Sequence, residues 1–302
     1  MPDLWAPAVP RHFLRVTDLD AAGLHSLLDL AATMKQRPHG FVDALRGDTV
    51  VCFFEKPSTR TRVSFAAAAE RLGMLPLVLR PDELQLGRGE TIGDTARTLS
   101  GYASAIVVRT FAQATVDALA ADASKPVINA LTDDHHPCQA LADLLTLRER
   151  FGSLDGLRVA YVGDGNNVAR SLAEAGALAG VEVVIAAPSG FAEEIPAHVV
   201  TSPEEAVAGA DAVYTDVWVS MGDEDDRAER LRALRPYQVD ARLLALAGPE
   251  AVFMHCLPAH RGEEVTAEVL DGPRSVVWQQ AENRMPTEEA LLLALISQRW
   301  EA

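Results

Sequence analysis

The chain has 302 residues, of which 48% are hydrophobic and 23% charged. That composition excludes wholesale disorder, a collagen-like fibre and a disulfide scaffold, and the length fits about two domains. With 27 Lys and Arg against 43 Asp and Glu the net charge is −16. A surface that acidic repels a polyphosphate backbone, so no nucleic-acid partner is expected. An anionic small substrate would need a local cluster of basic groups. Cys52, Cys138 and Cys256 are odd in number, widely spaced and free of any C-x-x-C pair, which fits reduced thiols in a cytoplasmic protein. Met1–Pro10 shows no basic start followed by an apolar run, so no secretory signal is expected there. No uncharged apolar stretch is long enough to span a membrane, and no membrane partner is expected.

Short apolar, β-branched runs alternate with helical patterns along the chain. The expected strands are Thr49–Phe54, Leu77–Leu79, Ala105–Val108 and Pro126–Asn129, then Arg158–Val162, Val181–Ala186, Ala212–Thr215, Val252–His255 and Ser275–Trp278. The expected helices include Thr61–Leu72, Thr91–Tyr102 and Gln139–Phe151. Such alternation predicts an α/β fold of two domains, each a parallel sheet flanked by helices. The boundary falls near Arg150–Gly156, giving domains 1–150 and 151–302. A last helix at about 286–299, with Glu288 and Glu289 in its first turn and an apolar leucine face, is expected to pack back on the first domain.

Several segments carry chemistry. After the first strand, Pro57 leads into Ser58-Thr59-Arg60-Thr61-Arg62 and an Ala-rich helix. Amide N–H groups at a helix start, hydroxyls and a guanidinium together suit an anion. An ordinary helix cap with surface arginines is the plainer alternative. Arg109 ends a strand, and Cys256 and Asp216 each follow one. Gly163-Asp-Gly-Asn-Asn-Val168 also follows a strand, but Val168 stands where a dinucleotide fingerprint needs glycine, and the next strand ends without an acidic residue for a ribose. An oxidoreductase is therefore discounted. The run Asp223–Asp226 reads as a solvated loop.

Four motifs in order resemble the aspartate/ornithine carbamoyltransferase family: Ser58-Thr-Arg-Thr-Arg62, His136-Pro-Cys-Gln139, Asp216-Val-Trp-Val-Ser-Met-Gly222 and His255-Cys-Leu-Pro258. The resemblance implies a carbamoyl-phosphate domain followed by an amino-acid domain. It implies transfer of a carbamoyl group from carbamoyl phosphate to the δ-amine of L-ornithine, giving L-citrulline and phosphate, with arginine biosynthesis the commoner role. Carbamoyl phosphate is held, by resemblance, by Ser58, Thr59, Arg60, Thr61, Gln85, Arg109, His136, Gln139, Cys256, Leu257 and Arg284. Ornithine is held by Asn167, Asp216, Ser220 and Met221. Cys256, Arg109, His136 and Asp216 are the expected catalytic groups: Arg109 and His136, with Thr61, at the carbamoyl oxygen, and Cys256 with Asp216 at the attacking amine. Leu257 acts through its carbonyl. Arg62 reads as a structural ion-pairing residue and His135 as a bystander. The family typically forms trimers with shared sites, and Gln85 is expected to reach a neighbouring subunit. No metal or organic cofactor is implied, because carbamoyl phosphate is already an activated acyl donor. Alternatives are a relative acting on putrescine or an acylated ornithine, and a catalytically silent binding relative.

Overall fold

The computed structural model describes residues 10–83, 89–192, 194–219 and 227–298. The chain divides into two compact units, one of Met1–Leu145 with Asn283–Ala302 and the other of Thr146–Glu282.

In the first unit, helix α1 (Ala21–Gln36) precedes strand β1 (Thr49–Phe54), α2 (Thr59–Arg71), β2 (Leu75–Leu79), α3 (Ile92–Ser100), β3 (Ala105–Arg109), α4 (Gln113–Asp122), β4 (Val127–Leu131) and the start of α5 (Pro137–Phe151). Its four strands are all parallel and lie in the order β2-β1-β3-β4. Parallel strands covered on both faces need apolar side chains throughout, and β3 (Ala-Ile-Val-Val-Arg) is buried at every position. The edge strand β2 is the exception, with Leu75 and Leu77 exposed. Phe53, Ile106, Val108, Val116 and Val127 form one side of this core.

The second unit continues with β5 (Arg158–Val162), α6 (Asn167–Ala179), β6 (Glu182–Ala186), β7 (His198–Val200), α7 (Pro203–Val207), β8 (Ala212–Thr215), α8 (Arg227–Leu234), α9 (Ala241–Leu244), β9 (Val252–His255), α10 (Ala267–Leu270) and α11 (Val277–Glu282). Its sheet is parallel, in the order β7-β6-β5-β8-β9. Val162, Val184, Val213 and Phe253 share its core. Finally α12 (Arg284–Ser297) returns to the first unit and packs on α1 and α2.

The expected α/β architecture of two parallel sheets with a returning C-terminal helix is what the chain adopts. Strands β5, β8 and β9 have the expected bounds. Ser275–Trp278 is not a strand: Ser275 makes one isolated bridge to Phe253 and the chain turns into α11. The run is apolar because Val276 and Val277 are buried, while Trp278 is 65% exposed. Strand β7 went unread because its three residues lie on an edge and are not apolar-buried. Glu288 and Glu289 are not first-turn surface acids. The helix starts at Arg284, two residues earlier than expected, which turns both glutamates into the interior at 1% exposure.

Both sheets reverse direction beside their first strand. β1 has β2 on one side and β3 on the other, and β5 has β6 and β8. At such a switch point the crossovers leave to opposite faces and open a crevice at the carboxyl ends. In the second unit the turn after β5 is packed tightly. A Cβ on Gly165 would sit 2.5 Å from both the Phe191 carbonyl oxygen and the Ala192 Cβ. Gly165→Ala is therefore expected to lower unfolding stability by about 1–3 kcal/mol, the range for forced overpacking. Denaturant unfolding checks this, and an unchanged midpoint would refute it.

Candidate active site

In the first unit, three loops at the carboxyl ends of β1, β3 and β4 carry the expected anion-binding residues. Ser58 caps α2, its Oγ accepting from the Thr61 N–H at 3.3 Å. Thr59 and Arg60 are exposed on the first turn and Thr61 is buried. Arg109 closes β3 at 7% exposure, and its carbonyl accepts from the Glu55 N–H at 2.8 Å. After β4 the chain makes a turn in which Thr132 N–H donates to the His135 carbonyl and His135 N–H to Thr132 Oγ1. Gln113, accepting from Thr132 Oγ1 at 2.7 Å, fixes that turn from α4. His136 then leads into Pro137, which suits the first helical position, and Gln139 falls in the first turn of α5.

Arg284, from the far end of the sequence, joins these pieces. Its Nη1 donates to Gln139 Oε1 at 2.9 Å and its Nη2 to Thr61 Oγ1 at 3.2 Å. Nε and Nη2 also donate to Glu288 Oε1 at 3.1 and 2.7 Å. Gln139 is held from its other end, Nε2 donating to Asp143 Oδ1 at 2.8 Å. The imidazole of His136 is pushed well below the usual histidine range, first by burial and then by the positive charges of Arg284, Arg109 and Arg60. Neutral His136 therefore sits among arginines with its ring able to donate one N–H.

The sequence reading missed Lys56. It is 4% exposed, ion-pairs with Asp133, and lies over the Phe111 ring at 4.3 Å. It ties the loop after β1 to those after β3 and β4. Its signal was its place inside Glu-Lys-Pro-Ser, read only as a lead-in. Arg62 is exposed and makes no ion pair among the described residues, contrary to the structural role expected of it. Gln85, Ser220 and Met221 lie outside the described residues.

In the second unit, the carboxyl ends of β5, β8 and β9 bring Asn166, Asp216 and Cys256 together. The Cys256 thiol donates to Asp216 Oδ1 at 2.9 Å, and Asn166 Nδ2 donates to Asp216 Oδ2 at 2.9 Å. Asn166 is also the cap of α6, its Oδ1 accepting from the N–H groups of Val168 and Ala169. Asn167, expected at the amino-acid substrate, is half-buried on the first turn of α6, directly after Asn166. His255, fully buried, organises the turn after β9. Its Nδ1 accepts from the Leu257 N–H at 2.8 Å, so Nε2 carries the proton and donates to Glu264 Oε1 at 3.2 Å. Leu257 has φ +60°, an unusual conformation for leucine that this contact holds in place. Asp216, His255 and Cys256 offer three metal-type donor atoms within 4.8 Å of one another. Those donors are already engaged in these hydrogen bonds. On the loop after β5, Asp164 pairs with Arg230, whose Nε also donates to the Trp218 carbonyl at 3.1 Å.

The fold and these two constellations define a group-transfer protein with an anion cradle on one sheet and a thiol–carboxylate pair on the other. Residues 11–149 match the family model described as the aspartate/ornithine carbamoyltransferase carbamoyl-P binding domain, and residues 155–295 match the Asp/Orn binding domain of the same family. The chain belongs to the aspartate/ornithine carbamoyltransferase family. It is 52% identical to an ornithine carbamoyltransferase of Acidothermus cellulolyticus, over 95% of this chain and 96% of that one. It is 49% identical to one of Methanoculleus marisnigri, over 95% and 97%. The solved structure of ornithine carbamoyltransferase from Pyrococcus furiosus superimposes with a TM-score of 0.91 at 45% identity, over 97% of this chain and 99% of that one.

The depressed basicity of His136 gives a pH signature. In the unfolded chain the ring takes a proton near its ordinary value of 6.5, whereas in the folded protein it does so only well below that. Below 6.5 the unfolded state therefore binds more protons, and stability falls as pH falls. His136→Gln is expected to show a shallower loss between pH 7 and pH 5, measured by denaturant unfolding at each pH. Parallel curves for the two proteins would refute it.

Proposed function

We propose that the protein transfers the carbamoyl group of carbamoyl phosphate to the δ-amine of L-ornithine, releasing L-citrulline and phosphate. The observation that carries this reading is the meeting at Arg284 of Thr61 and Gln139, from segments 223 and 145 residues away in sequence. Two motifs and Arg284, with no local reason to be neighbours, share one buried polar cluster. The family membership and the relatives named above support ornithine as the acceptor.

In this reading the first unit binds carbamoyl phosphate. Ser58, Thr59, Arg60 and Thr61 hold the phosphate at the start of α2, where backbone N–H groups and the helix dipole favour an anion. Arg109, Thr61 and neutral His136 donate to the carbamoyl oxygen as it becomes an oxyanion. Gln139 and Arg284 orient the rest. The second unit binds ornithine, with Asp216 and Cys256 at the side-chain amine and the Asn166–Asn167 turn, Ser220 and Met221 at the amino-acid end. The amine must lose a proton before it attacks. In this reading the carboxylate of Asp216, with Cys256 beside it, takes that proton. The tetrahedral intermediate then collapses with loss of phosphate.

A trimer in which Gln85 serves a neighbouring subunit, a biosynthetic role and a cytoplasmic location belong to the same reading. Cys52, Cys138 and Cys256 form no disulfide, which supports a reducing compartment. No helix among the described residues is long and apolar enough to cross a membrane.

Citrulline production from carbamoyl phosphate with ornithine, putrescine, an acylated ornithine or aspartate tests the assignment. Ornithine is expected to lead by orders of magnitude, and equal turnover of another amine would overturn it. Arg60→Ala removes a charge-assisted contact worth about 1.5–3 kcal/mol, so carbamoyl-phosphate affinity is expected to fall at least about ten-fold with the fold intact. Asp216→Ala is expected to abolish ornithine saturation while the carbamoyl-phosphate Kd stays near normal. Collapse of carbamoyl-phosphate binding in that variant would put Asp216 in the wrong role.

A further inference from the structure

Arg284 and Glu288 lie one turn apart on α12, at 3% and 1% exposure. A guanidinium has five N–H donors in a rigid plane. Here one edge, Nε with Nη2, is spent on a single oxygen of Glu288. The remaining Nη2 hydrogen reaches Thr61 and one Nη1 hydrogen reaches Gln139. That leaves one Nη1 hydrogen unspent among the described residues. The plane has a single rotation that satisfies all four contacts, and the Glu288 oxygen, accepting twice, selects it.

We propose that Glu288 is a positioning residue for carbamoyl-phosphate binding: its Oε1 fixes the rotation of the Arg284 guanidinium and so the orientation of Thr61 and Gln139. This rests on the carbamoyl-phosphate reading of the first unit given above. The alternative role for a buried carboxylate is to neutralise the guanidinium, whose desolvation costs several kcal/mol when uncompensated. The surroundings weigh against charge as the main duty. Glu288 faces Arg284 from its own helix, Ser64 from α2, Cys52 from β1 and Cys138 from α5. Only Arg284 among them is charged, and burial outweighs it, pushing the Glu288 carboxyl up to about 7. An acceptor oxygen is present whether the carboxyl is charged or neutral, so the geometric role does not depend on the charge.

Two substitutions separate the roles. Glu288→Gln keeps the acceptor oxygen at the same reach and removes the charge. Glu288→Asp keeps the charge and withdraws the oxygen by one methylene. Steady-state citrulline formation at pH 7, with ornithine saturating, gives the KM for carbamoyl phosphate, and thermal melts report folding. Positioning predicts that Glu288→Gln keeps this KM within about three-fold and that Glu288→Asp raises it about ten-fold or more, because ångström misplacements at a site carry costs of that order. The KM for ornithine is expected to move little in either. Aspartate performing as well as glutamine, or neither changing the KM, overturns the proposal. So does failure of either variant to fold, which would make Glu288 a charge or core residue. The Arg60→Ala protein serves as the control for the underlying reading. If its KM for carbamoyl phosphate is normal, the substrate assignment itself fails. If it is impaired while both Glu288 variants match wild type, only the positioning role fails.

Discussion

A parallel sheet covered on both faces by helices leaves one place for polar chemistry, the carboxyl edge of its strands where the crossovers part. Most of the residues proposed for function obey that constraint, and Arg284, from the start of α12, joins them. The backbone carbonyls and N–H groups within β1, β3, β5 and β8 are committed to their ladders. Beyond the last rung the chain must turn, and its donors become available to a helix start or a ligand. Ser58 after β1, Arg109 at the end of β3 and His136 after β4 occupy three such turns on the first sheet. Asn166 after β5, Asp216 after β8 and Cys256 after β9 occupy three on the second. The same topology, used twice, produces a polar cluster of different character in each unit.

That difference resolves the problem posed by a net charge of −16. An acidic protein that takes an anionic substrate must concentrate positive charge where the field of the rest opposes it. In the proposed reading Arg60, Arg109 and Arg284 supply it, and all three, after burial, oppose protonation of His136. A protonated His136 would add charge, but at the cost of burying a fourth cation among three. The neutral ring is the cheaper state and still donates one hydrogen. Asp143 holds Gln139 from α5 and Glu288 holds Arg284 from within α12, while Arg60, the exposed one, faces solvent. On the second sheet the dominant charge is the carboxylate of Asp216, the right sign for an amine.

The sequence was most readable where local and global demands agree. The strands β5, β8 and β9 are short apolar runs bounded by turn residues, and their limits could be read to the residue. Ser-Thr-Arg-Thr-Arg and His-Cys-Leu-Pro stood out in the sequence because they carry an unusual density of donors beside a strand end. What escaped depends on tertiary placement. Val276 and Val277 look like strand residues, but burial alone does not say whether a short apolar segment extends or coils. Glu288 and Glu289 look like helix-start acids, and only the packing of α12 on α1 and α2 turns them inward. Asn166 was not singled out, because its role as cap of α6 and its contact with Asp216 appear only in the folded turn. His255 and Glu264 were silent because their partnership, nine residues apart, lies wholly in the interior.

The thiol–carboxylate pair shows how the polar cluster of the second unit is poised. Both oxygens of Asp216 are occupied in the free protein, one by the Cys256 S–H and one by the Asn166 amide. These are unequal competitors for an arriving ammonium. A thiol is a weak donor, whereas an N⁺–H to carboxylate bond is charge-assisted and about twice as strong as a neutral one. The Asn166 contact is also secured from behind, because its Oδ1 is pinned by two N–H groups at the start of α6 and meets the Tyr161 hydroxyl at 3.2 Å. The thiol is therefore the partner that yields. In the proposed reading, an amine that takes its place on Oδ1 leaves Cys256 beside the substrate nitrogen with its hydrogen released from the carboxylate. The backbone around Cys256 does not have to follow, since the next residue, Leu257, is tied to His255 and through it to Glu264. A rigid turn carrying a displaceable thiol suits a site that must first hold a cation and then let it become a neutral nucleophile.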